Sequence, residues 1–200
     1  MRIILTFLIV FSATNLNAQV RNEEATKGYF KAAGELFLPK DDGESFFGGS
    51  FGAGAIFQET ISLGAEIGVY KIKDFKNAVI PIGGQIGICN FSAKKIAPIV
   101  NFGVYYPLYS EKINISPSAA TGAVYVISET KGEIQFKALG GVLFRAGKKL
   151  RIIFSGGYNN VKFRSKISSL IPTPEPSRTT TSFTTFKVES WITSFSFMLN

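Results

Sequence analysis

Histidine is absent from all 200 residues, and cysteine occurs once, at Cys89. The first absence removes conventional Ser–His–Asp triads and histidine-based zinc sites; the second removes any disulfide within the chain. Long apolar runs are missing too. A helical membrane span needs roughly 20 consecutive apolar residues, and past the first dozen positions no such run exists. Charged residues are sparse at 18%, yet 46% of the chain is hydrophobic and phenylalanine alone numbers 19. So many aromatics drive burial and argue against disorder. The chain is apolar without containing an apolar segment.

Residues Met1 to Ala18 read as a secretory signal: Arg2 supplies the positive start, Ile3 to Phe11 the short apolar core, and a cut before Gln19 follows Ala18. The lone Cys89 reads as a small buried filler. The net charge is +8, and its carriers are scattered, with small groups at Lys94-Lys95, Lys148-Lys149-Arg151 and Lys162-Arg164-Lys166. Nucleic-acid binders concentrate charge on one face among base-stacking aromatics, so no nucleic-acid partner is expected. Attraction to anionic lipid headgroups accounts better for the excess.

Beyond Gln19 the dominant period is two. Ile61, Leu63, Ala65, Ile67 and Val69 alternate with Ser62, Gly64, Glu66, Gly68 and Tyr70; Phe47, Phe51 and Phe57 recur among glycines and small residues. Such alternation lays an apolar set on one face of a sheet and a small or polar set on the other. It predicts eight strands, at about 27–38, 46–57, 61–72, 79–90, 96–107, 132–145, 149–163 and 186–199. Each is far longer than the usual five or six residues. Pro81 and Pro98 fall inside these segments, near strand starts, where a missing N–H costs least.

The connections alternate in length. Gln58 to Thr60, Phe91 to Lys95 and Ala146 to Lys148 are short, whereas the links that carry Asp41-Asp42-Gly43 and Lys73 to Ala78, and above all 108–131 and 164–185, are longer. An up-and-down antiparallel sheet puts alternate links at opposite ends, which is the layout of transmembrane β-barrels, with short periplasmic turns and longer extracellular loops. The long loops at 108–131 and 164–185 are where specific binding is expected. Ala123 to Ile127 reads as a strand extension above the membrane, and the Pro172, Pro174, Pro176 and Thr-rich stretch as an extended, mobile surface loop.

A soluble barrel buries its apolar face; here the other face is too small and bare to be a solvated exterior. The apolar face therefore meets lipid. On this reading Phe30, Phe57, Phe144, Trp191, Phe195 and Phe197 point outward as lipid-facing or girdle residues, together with the strand-end aromatics Tyr29, Phe91, Tyr105, Tyr106, Tyr109 and Tyr158. Lys31, Glu35, Glu66, Lys137 and Arg145 point into the lumen. Charges in a low-dielectric lumen require partners, and heights along the strands pair Lys31 with Glu66 and Glu35 with Lys137.

In its signal, long alternating strands, alternating links and closing strand Trp191-Ile192-Thr193-Ser194-Phe195-Ser196-Phe197-Met198-Leu199-Asn200, residues 19–200 resemble a small eight-stranded outer-membrane barrel of the OmpA/OmpX type. That resemblance implies an all-β, eight-stranded antiparallel up-and-down transmembrane β-barrel in the outer membrane of a Gram-negative-type bacterium. Its partners would be outer-membrane lipids, the assembly machinery that reads the C-terminal strand, and an extracellular ligand the sequence does not name. Members usually end on an aromatic, whereas this chain ends on Asn200.

No cofactor and no enzymatic activity are expected. Lipid-modifying enzymes and proteases on such barrels generally use a histidine base, which is missing. Gly48-Gly49-Ser50-Phe51-Gly52 matches G-x-S-x-G formally, but it lies inside an alternating strand with neither the helix nor the histidine that motif needs. The leading expectation is a non-enzymatic barrel displaying loops for binding, adhesion or envelope integrity. The alternatives are a narrow, porin-like solute channel or transport accessory, and a soluble periplasmic barrel holding a lipid-like ligand with its Phe/Ile face turned inward.

Overall fold

The computed structural model describes residues 26–41, 43–73, 75–93, 95–115, 125–171 and 178–200. The signal segment 1–18, the start of the Ala123–Ile127 piece and the Pro172–Pro176 stretch lie outside the described residues. The remainder is all strand and turn: β1 (Thr26–Pro39), β2 (Phe46–Phe57), β3 (Ile61–Tyr70), β4 (Ile80–Cys89), β5 (Ile96–Leu108), β6 (Ser110–Ile115), β7 (Tyr125–Arg145), β8 (Leu150–Ile171) and β9 (Arg178–Leu199). Every pairing is antiparallel. β1 pairs with both β2 and β9, and β5 pairs with both β4 and β7, so the ring β1-β2-β3-β4-β5-β7-β8-β9 closes. This is an eight-stranded up-and-down barrel of the OmpA/OmpX architecture.

The short links 58–60, 90–95 and 146–149 share one end with the start of β1 and the end of β9, since Thr26 faces Phe57 and Leu199 faces both Phe30 and Leu150. At the tightest, Gln58 and Glu59 both take positive φ (48° and 53°), and Thr60 N–H donates to Phe57 O at 3.0 Å. That is the type I′ geometry whose twist matches a β-hairpin.

At the other end the structure departs from expectation. The stretches 108–131 and 164–185, expected as loops, are largely strand. β6 pairs with β7 from Ser110↔Lys131 to Ile115↔Val126, and β8 and β9 stay paired as far as Ile171↔Arg178. Hydroxylated and β-branched residues favour the pleated surface, and continuous hydrogen bonding to a neighbour outweighs the polar composition that suggested a loop. β6, β7, β8 and β9 thus rise from the barrel as a four-stranded ribbon. A β-bulge at Glu133, between Gly132 and Ile134, shifts the register of β7 where barrel becomes ribbon. Gly132 is needed there, because a Cβ would lie 2.8 Å from Pro107 Cγ.

Candidate functional site

Period two determines what enters the barrel. Odd positions of β1 and even positions of β2 and β3 point inward, and they bring polar and aromatic groups to the axis in layers. In the middle layer Lys137 Nζ donates to both oxygens of Glu35, at 2.8 and 2.7 Å, and lies 3.6 Å from Glu66 Oε1. Lys31 Nζ approaches Glu66 Oε2 at 2.5 Å while donating to Gln85 Oε1 at 2.7 Å. The Tyr105 hydroxyl donates to Glu66 Oε1 at 3.2 Å. Two ammonium groups and two carboxylates form one neutral cluster in which Glu35, Glu66 and Lys137 are each no more than 6% exposed. Neutrality and multiple hydrogen bonds offset much of the desolvation such burial costs.

The sequence-derived pairs Lys31–Glu66 and Glu35–Lys137 are therefore both in contact, but not at two separate levels. Lys137 joins them. Arg145 is not part of the cluster: it is exposed beside the tight turn, and its Nε donates to Gly147 O at 3.2 Å. Arg145 keeps the inward parity of Lys137 and still pairs with Arg151, but it is the last residue of β7, and at the rim its long side chain turns away to the tight turn and to water.

Above the cluster a polar relay crosses the bore. The Tyr70 hydroxyl donates to Gln135 Oε1 (3.3 Å), Gln135 Nε2 to Asn159 Oδ1 (2.7 Å), and Asn159 Nδ2 to Ser190 Oγ (3.1 Å). Apolar plugs close both ends. At the ribbon end Phe37, Phe46, Tyr70, Val79, Val161 and Phe163 pack together, with the Phe37 and Phe46 rings stacked at 4.7 Å. At the tight-turn end the plug is Tyr29, Ile56, Cys89, Phe91, Ile99 and Met198. The lumen keeps a cavity of about 20 Å³ among the charged groups, room for about one water molecule.

Four aromatics expected on the outside are inside. Tyr29, Phe91, Tyr105 and Tyr109 are buried in the lumen, whereas Tyr106 is outside and Tyr158 half-exposed. The inward face is not bare after all. Its glycines supply the room for these rings: a Cβ on Gly54 would lie 2.8 Å from Tyr29 Cε1, and one on Gly103 would lie 2.7 Å from Tyr105 Cζ. Sequence reading placed Gln135 inward beside Lys137, as observed, but missed Phe37, Asn159 and Phe163. The signal was present for Phe37, which shares the parity of Lys31 and Glu35.

The outside is apolar. Phe30, Phe144, Trp191, Phe195 and Phe197 are exposed and Phe57 half-buried, while Phe51 and Phe154 are 54% and 52% exposed. The Phe/Ile face thus does not line a ligand cavity, which removes the inside-out arrangement of a soluble ligand carrier. Beyond the barrel, exposed pairs hold the ends: Lys27 and Glu59 at 2.6 Å in the tight-turn region, Lys131 and Glu129 at 2.8 Å on the ribbon. Hydrogen bonding and charge from Lys27 hold the Glu59 carboxyl below the usual carboxylate range, and Lys131 does the same for Glu129.

No family model and no curated protein matches the chain. Solved structures do. Neisserial surface protein A (NspA) superposes with a TM-score of 0.48 at 12% identity, over 88% of this chain and 99% of that one. The outer membrane protein AlkL, solved in DMPC lipid bilayers, gives 0.40 at 13%, over 90% and 93%. The translocator domain of the autotransporter NalP from Neisseria meningitidis gives 0.33 at 9%, over 98% and 95%. The likeness is one of fold.

Proposed function

We infer that the protein is a non-enzymatic barrel of the outer membrane of a Gram-negative-type bacterium, closed to solutes, whose ribbon stands clear of the lipid for binding, adhesion or envelope integrity. The observation that carries this reading is the inversion of the two faces. Phenylalanine, isoleucine and tryptophan cover the exterior, and the charges are inside, paired. In water such an exterior is an aggregation hazard; in hydrocarbon it is the required one, and a closed barrel leaves no unpaired edge there.

The reading as a narrow channel is less favoured, because the lumenal charges neutralise one another and aromatic plugs lie on both sides of them. The absence of histidine supports a non-enzymatic role. On the same reading the ribbon is extracellular, the tight turns and both chain ends are periplasmic, and the segment 1–18 is cleaved on export. The outward Phe195, Phe197 and Leu199 of β9 are what the assembly machinery would engage.

Impermeant maleimide on intact cells tests the orientation. Thr181→Cys, at the ribbon, should label in intact cells, and Lys148→Cys, in a tight turn, only after permeabilisation; native Cys89 is buried. The reverse pattern would refute the proposed orientation.

A further inference from the structure

The ribbon separates its side chains by kind. Beyond the bulge its inward face carries Ser128, Thr130, Ser165, Ser182 and Thr184 and its outward face Lys112, Lys131, Arg164 and Lys166; level with the bulge, opposite Ile134, the outward face carries Lys162 and Lys187. Some of these cations are balanced: Lys131 by Glu129, and Arg164 by Glu133 at 2.7 Å. Lys162 and Lys187 are not. They sit directly opposite each other on β8 and β9, with no carboxylate paired to either among the described residues. Like charges in that position repel, and the arrangement is destabilising unless an anion comes between them.

Their height indicates which anion. Tyr158 and Trp191 face each other four residues nearer the barrel on the same outward face, with Lys40 Nζ 4.6 Å and 5.4 Å from their ring centres. Amphipathic rings of this kind sit at the headgroup level. Four residues along a strand tilted by about 40° raise the lysine pair roughly 10 Å above that row. Lysine stems bend toward the interface, which brings the ammonium groups down onto the headgroups. A face serving a distant protein partner has no need to concentrate cations laterally, above the lipid, while leaving hydroxyls over the barrel mouth.

We propose that the outward face of the ribbon is a lipid-phosphate site, in which Lys162 and Lys187 together clamp the phosphate of a headgroup in the surrounding leaflet. Lys166, on the same outward face, widens the field toward which the anion is drawn. The proposal rests on the membrane reading given above and adds to it the chemical class of ligand.

Trp191, the sole tryptophan, is a built-in reporter near the site. Folded protein in a zwitterionic detergent is titrated with phosphatidic acid, with diacylglycerol of the same chains, and with inorganic phosphate. The wild type should respond to phosphatidic acid with a half-saturation at least fivefold lower than K162Q/K187Q. Diacylglycerol should not distinguish the two proteins, and inorganic phosphate at the same concentrations should leave the signal unchanged. K148Q/K149Q, with the same loss of charge at the opposite end, should behave as wild type. Equal half-saturation for wild type and K162Q/K187Q overturns the site, as does an equal loss in K148Q/K149Q. Saturation by inorganic phosphate alone overturns the assignment to lipid. A compact band on unheated gels shows that each variant is folded. Failure of the membrane reading would instead show as recovery of the wild type in a soluble fraction, which the titration does not measure.

Discussion

Lys137 binds both oxygens of Glu35 at 2.8 and 2.7 Å and reaches Glu66 at 3.6 Å, so one ammonium group holds two carboxylates from different walls of the barrel. β7 is thereby tied to β1 and β3 across the bore. Removing one member leaves the others buried and unbalanced, a change that costs roughly 3–5 kcal/mol in comparable sites. Glu66→Gln should destabilise the folded barrel by about 3 kcal/mol in urea titration in detergent. Adding Lys31→Gln should return part of that loss, because the double variant is neutral again. A double variant as costly as the sum of the singles would show the residues to be uncoupled.

The exposed pair Lys27–Glu59 serves as the contrast. Its folded carboxyl is held below the unfolded value, so its contribution is present above the usual carboxylate range and fades as the pH falls through the depressed folded value. Water and salt screen it. Glu59→Gln should shift the unfolding midpoint far less than Glu66→Gln, and the shift should vanish in high salt. A shift rivalling that of Glu66→Gln would show that burial does not set the scale.

Glycine content converts directly into lumenal volume. Gly103→Ala would drive a methyl group into Tyr105, and overpacking of this kind costs about 1–3 kcal/mol. Gly140→Ala meets nothing within 4 Å and should be near neutral. Equal midpoints for the two variants in thermal unfolding would contradict the packing described for Tyr105.

The type I′ turn carries strain that a substitution can relieve. A left-handed conformation costs an ordinary residue about 1–2 kcal/mol, and asparagine tolerates it better. Gln58→Asn should raise stability by about 0.5–1 kcal/mol without altering the Lys27–Glu59 contact. A fall in the unfolding midpoint would contradict the turn geometry.

Much of this was legible from period two. Alternation placed Lys31, Glu35, Glu66 and Lys137 in one bore and Phe30, Trp191, Phe195 and Phe197 outside it, since a one-residue step reverses the face. It also implied that Tyr29 and Tyr105 are inside, yet their aromatic character pointed to an interfacial girdle. Packing resolved the conflict, because a glycine-lined lumen of eight strands is wide enough for side chains and must be filled. Of the ribbon only the Ala123–Ile127 piece was legible as strand, because serine, threonine and lysine dominate the remainder and leave too little apolar alternation to detect. The bulge at Glu133 then shifts the register, so the faces of Tyr125–Lys131 cannot be extrapolated from the barrel below.

The plugs make a functional prediction of their own. Liposomes carrying purified protein should not swell in isotonic sugars beyond protein-free controls, because the residual space holds about one water. Brisk sugar entry would restore the channel reading.

The claim on which the rest depends is that the apolar exterior faces lipid. Cell fractionation followed by unheated and heated SDS gels tests it most directly. The protein should appear in the outer-membrane fraction, with the unheated sample migrating as a compact band that shifts on boiling. Recovery in the soluble periplasm with no heat-dependent shift would contradict the account.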